Sequence, residues 1–195
     1  MTDVALPQRS RLTDRWPTAL GIAGGAGVIA VIALLDREVE FFAPVVVMMA
    51  GIYLMAYALG RQSAAWLALL VLSVVVSVLL GLDGAGALPF DPAIGMSGVV
   101  LLLWLWTVAR RRYTDGATFS LQTAGMVGFG ALTLLCVVVA GRWGILLAGV
   151  GFLAHGVWDL YHYRANKVVN RPYAEFCGVL DLVAGPALIV AAALA

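Results

Sequence analysis

Both histidines of the chain and several of its carboxylates fall in one stretch, from His155 to Asp181. At about 100° and 1.5 Å per residue, a helix would place His155, Asp159 and His162 on one narrow face. Imidazole and carboxylate groups are ligands of Zn²⁺ and of non-haem iron or manganese. A His–Asp pair can also accept or relay a proton near neutral pH. The spacing therefore predicts a metal or proton site on this face.

A second polar face follows a basic turn. Tyr173, Cys177 and Asp181 recur every four residues and share one side of a helix, whereas Glu175 points elsewhere. Because short connections make consecutive helices antiparallel neighbours, the two faces are expected to match in depth. Counted from the turn, the expected levels are His162 with Tyr173, Asp159 with Cys177, and His155 with Asp181.

These levels suggest a role for each residue of the site. The expected metal ligands are His155, His162 and Asp181. Asp159 is expected to be a further ligand or a base, and Tyr173 a contact to the substrate or to an oxyanion. In the alternative, Asp159 pairs with a nearby arginine and His155 hydrogen-bonds a carbonyl of another helix. Asp181 fits this alternative least, because it is predicted about 12–15 Å into its helix.

Zn, Fe or Mn is the expected ion at such a site, and neither haem nor retinal is expected. Two histidines seven residues apart on one helix cannot ligate a haem iron from opposite sides. Retinal needs a lysine within a helix, and the only lysine, Lys167, lies in a predicted loop. Cys136 and Cys177 are predicted at depths that differ by more than the roughly 7 Å limit for a disulfide, so no bridge is expected.

The elements that must hold these residues are membrane helices. Apolar residues make up 63% of the 195 residues and charged residues 12%, whereas soluble domains average about 45–50% and about 25%. A spanning helix needs about 20 mostly apolar residues, and seven stretches qualify. The predicted spans are Pro17–Leu35, Phe41–Leu59, Ser63–Leu82, Pro92–Ala109, Phe119–Ala140, Trp143–Tyr163 and Tyr173–Ala195.

The fold class is therefore an all-α, polytopic bundle of seven transmembrane helices. We expect one domain over residues 17–195, preceded by a cytoplasmic tail over residues 1–16. Residues 36–40 are expected to form a solvated turn between the first two helices. Glycines spaced four apart, such as Gly21 and Gly25, predict close helix packing, and Pro186 is expected to kink the last helix.

The distribution of arginine and lysine predicts how the bundle sits in the membrane. With the N-terminus in the cytoplasm, ten basic residues fall on the cytoplasmic side and two, Arg37 and Arg142, on the outer side. The positive-inside rule therefore predicts a cytoplasmic N-terminus and an outer C-terminus. A three-plus-three repeat with a linking fourth helix stays an open alternative, based on a faint echo between residues 51–57 and 156–162.

Three functions are open at this point. The first is a metal-dependent membrane enzyme, a hydrolase or oxidase acting on a lipid-like substrate, in the cell (inner) membrane. The second is a proton- or cation-coupled transporter of small solutes, and the third is an accessory subunit of a membrane complex. Membrane lipids and a lipid-like or small-molecule ligand are the expected partners. A homo-oligomer or larger complex is open, and no nucleic-acid partner is expected, because the basic residues form no continuous stripe.

Overall fold

Seven long helices make up almost all of the structure. The computed structural model describes residues 12–34 and 38–195, in which no strand occurs. A short 3₁₀ turn over Leu12–Arg15 leads into the first helix. The helices are α1 Trp16–Leu34, α2 Glu38–Leu59, α3 Ala64–Gly84, α4 Pro92–Ala109, α5 Ala117–Val139, α6 Gly141–Ala165 and α7 Arg171–Leu194. All seven contain a window apolar and long enough to cross a membrane, which indicates a multi-pass membrane protein and confirms the seven predicted helices.

Local sequence explains where several helices begin. Asp91 precedes Pro92 and accepts a hydrogen bond from the Ala93 amide at 2.7 Å, which caps α4. Asn170 caps α7 in the same way through the Tyr173 amide, at 3.1 Å. In both helices a proline occupies the first turn, where a missing N–H costs least.

One expectation about helix ends needs adjustment. Helix α2 begins at Glu38, so residues 38–40 of the predicted turn are helical, and residues 35–37 lie outside the described part. Most of the predicted tail, residues 1–11, also lies outside it. Helix α7 includes Pro186, and the kink predicted there stays a prediction. The predicted orientation in the membrane and the internal repeat stay predictions.

Helix α2 is the centre of the bundle. It contacts α3, α4, α5 and α6, and 83% of its Phe41–Leu59 window is buried, against 22% of the corresponding window of α3. Its small and aromatic residues, including Ala43, Tyr53 and Ala56, are completely enclosed. Hydropathy did not mark α2 as central, because its mean hydropathy of 2.0 is lower than the 2.7 of the lipid-facing α3.

Helices α6 and α7 pack through two pairs of glycines. A Cβ atom added to Gly149 would lie 2.9 Å from the carbonyl oxygen of Gly185, and one added to Gly185 would lie 3.0 Å from that of Gly149. Two turns further along α6, Gly156 faces Gly178 of α7 less closely, with corresponding distances of 3.8 and 3.9 Å. Such contacts let the two backbones meet closely, which brings the polar faces of α6 and α7 together.

Helix α1 lies on the outside of α7 and runs parallel to it. A Cβ atom on Gly21 would lie 2.6 Å from the carbonyl oxygen of Phe176, and one on Gly25 would lie 2.7 Å from the side chain of Val183. The four-residue glycine spacing thus forms a close helix contact, as predicted. It positions the start of α1 beside the first turns of α7.

Three connections meet at one end of the bundle. The Tyr57 hydroxyl donates to the carbonyl of Arg112, between α4 and α5, at 2.9 Å, and the Gln62 side-chain amide donates to the carbonyl of Asn166, between α6 and α7, at 2.7 Å. We call this end the basic end. Its described residues include eight basic ones, Arg15, Arg61, Arg110, Arg111, Arg112, Arg164, Lys167 and Arg171.

Candidate functional site

His155 of α6 lies between two carboxylates near the middle of the bundle. Its Nδ1 is 2.8 Å from Oδ2 of Asp181 on α7 and 3.3 Å from Oδ2 of Asp159, one turn further along α6. The three residues are at most 1% exposed. His155 is ten residues from the end of α6 and Asp181 ten from the start of α7, or about 15 Å at 1.5 Å per residue. The expected pairing of His155 with Asp181 across the two helices is therefore present.

Tyr53 of the central helix completes this group. Its hydroxyl donates a hydrogen bond to Oδ1 of Asp159, and its ring packs edge-on against His155, with centroids 5.6 Å apart. Tyr53 is fully buried. Tyr53 therefore adds a polar contact from α2 to the group.

The buried group contains more acidic than basic side chains. It brings together two carboxyl groups and one imidazole in the core, and the fully buried residues of the described part include no lysine or arginine. Isolated carboxylates are very costly to bury, so buried charges are paired, protonated or bound to a metal. Even a protonated His155 neutralises only one of Asp159 and Asp181. The group therefore needs one more positive charge, from a proton shared by the carboxyl groups or from a bound cation.

The geometry suits a small divalent ion. One ligand atom from each of His155, Asp159 and Asp181 lies within 4.8 Å of the other two. A tetrahedral ion with bonds of about 2.0–2.2 Å holds its ligand atoms about 3.3–3.6 Å apart. Of the distances from Nδ1 to the two carboxylates, 3.3 Å to Asp159 lies at the lower end of this spacing and 2.8 Å to Asp181 lies about half an ångström below it. Oδ2 of Asp159 has no hydrogen-bond partner and is available as a ligand.

His162 is held apart from the group. Its Nδ1 lies 2.9 Å from the carbonyl oxygen of Trp158, and its Nε2 lies 3.0 Å from the Gln122 side-chain nitrogen of α5. A carbonyl only accepts and an amide NH₂ only donates. These contacts fix a neutral imidazole with its proton on Nδ1, and both ring nitrogens are occupied. The structure therefore does not bring His162, predicted as a metal ligand, together with the other two predicted ligands.

Tyr173 lies beside Tyr53, which contacts the group. Its ring centroid is 6.4 Å from that of Tyr53 and 5.1 Å from that of Trp66. The side chain is fully buried, and its hydroxyl has no hydrogen-bond partner in the described part of the chain. Tyr173 is thus inside the bundle near Tyr53, where contact with a substrate would require an opening between helices.

Two polar residues around the group lie on helices that contain none of the predicted site residues. Tyr53 lies on α2, and Gln122, which is 2% exposed, lies near the start of α5. A polar side chain within a membrane span is itself a signal of function or of a helix–helix hydrogen bond. Gln122 lies within the predicted fifth span and therefore carried that signal. Its hydrogen-bond partner His162 is 40 residues further along the chain, so the pair could not be identified from spacing.

The remaining details agree with a closed core. Cys136 and Cys177 are both free thiols, as predicted. The second ring nitrogen of His155, Nε2, is buried without a hydrogen-bond partner and lies in a setting of aromatic rings, with the Phe129 centroid 5.3 Å from that of the imidazole.

Searches with protein-family models, curated protein sequences and solved structures find no match to this chain.

Proposed function

We propose that this protein is a metal-dependent membrane enzyme, acting on a lipid-like substrate, whose divalent ion is held by His155, Asp159 and Asp181. The observation that carries the proposal is the buried group of two carboxyl groups and one imidazole, with no buried lysine or arginine in the described part of the chain. With a neutral imidazole, a divalent ion held by these residues would balance both carboxylates. Its chemistry would be to polarise a bound water or a substrate carbonyl, which suits a hydrolase, and the same donor set suits an oxidase.

The surrounding residues have supporting roles in this proposal. Tyr53 orients Asp159 through its hydrogen bond, as partners behind metal ligands commonly do. His162, whose ring nitrogens are both hydrogen-bonded, positions α5 against α6 and does not ligate. In this proposal the basic end faces the cytoplasm, as the positive-inside rule predicts, and the protein belongs to the cell membrane.

A proton- or cation-coupled transporter is the second candidate. It is favoured by one observation, the continuous chain of contacts from Tyr53 through Asp159 and His155 to Asp181. Such a chain can pass a proton between helices without a metal. The two candidates differ in what they require of the purified protein, because only the first requires stoichiometric Zn, Fe or Mn.

Metal content separates the candidates. The protein is purified in detergent without chelators, and bound Zn, Fe and Mn are measured by inductively coupled plasma mass spectrometry. The wild type is compared with His155→Ala and Asp181→Ala, and His162→Ala serves as a matched control on the same helix. Near-stoichiometric metal in the wild type and the control, lost in the other two variants, is the expected result.

Other outcomes contradict the proposal in different ways. Metal that survives in His155→Ala would show that the ion is bound elsewhere. Metal lost from His162→Ala, in protein that elutes as the wild type does on size exclusion, would restore His162 as a ligand. Absence of metal from wild-type protein that has also been incubated with Zn²⁺, Fe²⁺ and Mn²⁺ would favour the transporter.

A further inference from the structure

A groove runs along the outside of the bundle where α1, α6 and α7 meet. Its volume is about 380 Å³, which lies within the range of about 300–1,000 Å³ common for small-molecule sites. Val157, Leu160 and Leu182 line it and are 69%, 45% and 60% exposed. Because the three helices cross a membrane, these exposed apolar side chains face the acyl chains of the bilayer.

The mouth of the groove is polar and lies at the basic end. Arg15, Thr18 and Glu175 line it there. The Thr18 hydroxyl donates to Oε1 of Glu175, which joins α1 to α7. A cationic and an anionic side chain therefore stand together at one end of an apolar channel, at the depth where lipid headgroups lie.

The inner wall of the groove is thin. Gly156 and Gly178 both line it, and each also lies close to an aspartate of the buried group. A Cβ atom on Gly178 would lie 3.3 Å from Cβ of Asp159, and one on Gly156 would lie 3.5 Å from Cβ of Asp181. The backbones of Gly156 and Gly178 thus lie next to the groove and next to the two aspartates, so a separation of α6 from α7 here would bring the groove closer to the buried group.

We infer that this groove binds a membrane phospholipid with a zwitterionic headgroup, its phosphate at Arg15, its ammonium at Glu175 and an acyl chain over Gly156 and Gly178. One cation and one carboxylate at the mouth complement a headgroup that carries one phosphate and one ammonium. The exposed apolar walls complement the chain. That this lipid is the substrate of the His155 group rests on the proposed function, whereas its binding in the groove does not.

Photocrosslinking tests the binding. The full-length protein is reconstituted into vesicles of digalactosyldiacylglycerol, a bilayer lipid with neither phosphate nor ammonium, that contain a trace of phosphatidylethanolamine with a photoactivatable diazirine in one acyl chain. After irradiation and proteolysis, the labelled peptides are identified by mass spectrometry. The expected label lies in the segments of α6 and α7 that line the groove, and it falls several-fold when unlabelled phosphatidylethanolamine is added.

Variants show whether the groove itself is responsible. Val157→Trp fills the groove from a highly exposed position, and the label should fall several-fold. Val150→Trp is the matched control, because Val150 is also exposed, lies seven residues earlier on nearly the same face of α6, and does not line the groove. Leu182→Trp gives a second test from α7, in case Val157→Trp fails to fold.

The headgroup contacts have their own controls. Arg15→Gln and Glu175→Gln should each lower the label several-fold, whereas Arg110→Gln, which removes an exposed charge elsewhere at the basic end, should leave it unchanged. Competition by phosphatidylglycerol as strong as that by phosphatidylethanolamine would overturn the zwitterionic assignment. Label spread evenly over all lipid-facing helices, or unchanged in both tryptophan variants, would overturn the inference.

The inference and the proposed function can fail separately. Metal content is measured on the same variants, and Val157→Trp should keep the metal while it loses the label. His155→Ala should lose the metal and keep the label. Groove labelling that is absent from metal-loaded wild type refutes only the lipid site, whereas groove labelling in a protein that binds no metal refutes only the proposed function.

Discussion

The side chains of His155 and Asp181 meet with 2.8 Å between Nδ1 and Oδ2, which joins α6 to α7 near the middle of both helices. The glycine pair Gly149 and Gly185 brings the backbones close enough for this contact. A hydrogen bond buried at this depth has no competing water, so its geometry depends on the helix crossing. The site and the packing of α6 on α7 are therefore one structural feature.

Loss of the Tyr53 hydroxyl should weaken metal binding without unfolding the protein. Tyr53→Phe keeps the ring that packs against His155 and removes the donor to Asp159. Removal of such a partner commonly costs about 10–100-fold in metal affinity. The measurement is a competition titration with a fluorescent zinc chelator. Tyr57→Phe is the control, because the Tyr57 hydroxyl bonds Arg112 and Asp115 instead, and equal losses in the two variants would argue against the role given to Tyr53.

Metal removal should lower thermal stability. A ligand that binds only the folded state at about 100 times its Kd stabilises that state by about 2.7 kcal/mol. Dialysis against a chelator should therefore lower the Tm of the wild type, followed by the intrinsic fluorescence of the tryptophans, and readdition of the ion should restore it. His155→Ala should show no such shift, and a shift of the same size in that variant would place the ion elsewhere.

The protonation of His162 is fixed by its neighbours. With Gln122 donating to Nε2, the proton of the neutral ring should sit on Nδ1, facing the carbonyl of Trp158. Nitrogen-15 NMR of histidine-labelled protein distinguishes the two tautomers by their ring shifts. A resonance pattern of the Nε2-protonated form would contradict the arrangement.

The hydrogen bond between Gln122 and His162 should also contribute to stability. Gln122→Met retains the bulk of the side chain and leaves the buried Nε2 of His162 without a donor, which costs about 1–3 kcal/mol. Gln62→Met is the matched control, because Gln62 bonds a carbonyl at the exposed basic end and surface changes usually stay within about 0.5 kcal/mol. Unfolding by a graded denaturing detergent measures both, and equal effects would count against a special role for Gln122.

The glycine contact between α6 and α7 should be sensitive to a single methyl group. Gly149→Ala places Cβ 2.9 Å from the Gly185 carbonyl oxygen, and overpacking of this kind costs about 1–3 kcal/mol. Gly128→Ala is the matched control on α5, where nothing lies within 4 Å of the added atom. There the better helix propensity of alanine should stabilise the protein by up to about 1 kcal/mol. Stability unchanged in Gly149→Ala would mean that the helices can separate at little cost.

Several features of the molecule followed from local sequence. Long apolar runs predicted the seven helices to within a few residues, because a membrane span has a required length. The helical period placed His155 and Asp159 on one face, and the short α6–α7 connection set Asp181 opposite His155. These inferences use only spacing along one helix or across one tight turn.

The hydrogen-bond partners that Tyr53 and Gln122 provide for Asp159 and His162 could not be inferred in this way. Tyr53 reaches Asp159 across 106 residues of sequence and Gln122 reaches His162 across 40. Hydropathy reports how apolar a helix is and not which helix it touches, and in a membrane the lipid-facing and buried surfaces are both apolar. The central position of α2, which brings Tyr53 to the site, was therefore hidden.

The sequence by itself determined that seven helices form and that His155, Asp159 and Asp181 share matched faces, because helix period, span length and loop length are local properties. Only the tertiary structure decided that His162 turns to Gln122 and that Tyr53 joins Asp159. It also decided that Glu175 meets Thr18 at the mouth of a groove. These contacts depend on which helices become neighbours and how each is rotated, and close glycine packing between distant segments sets both.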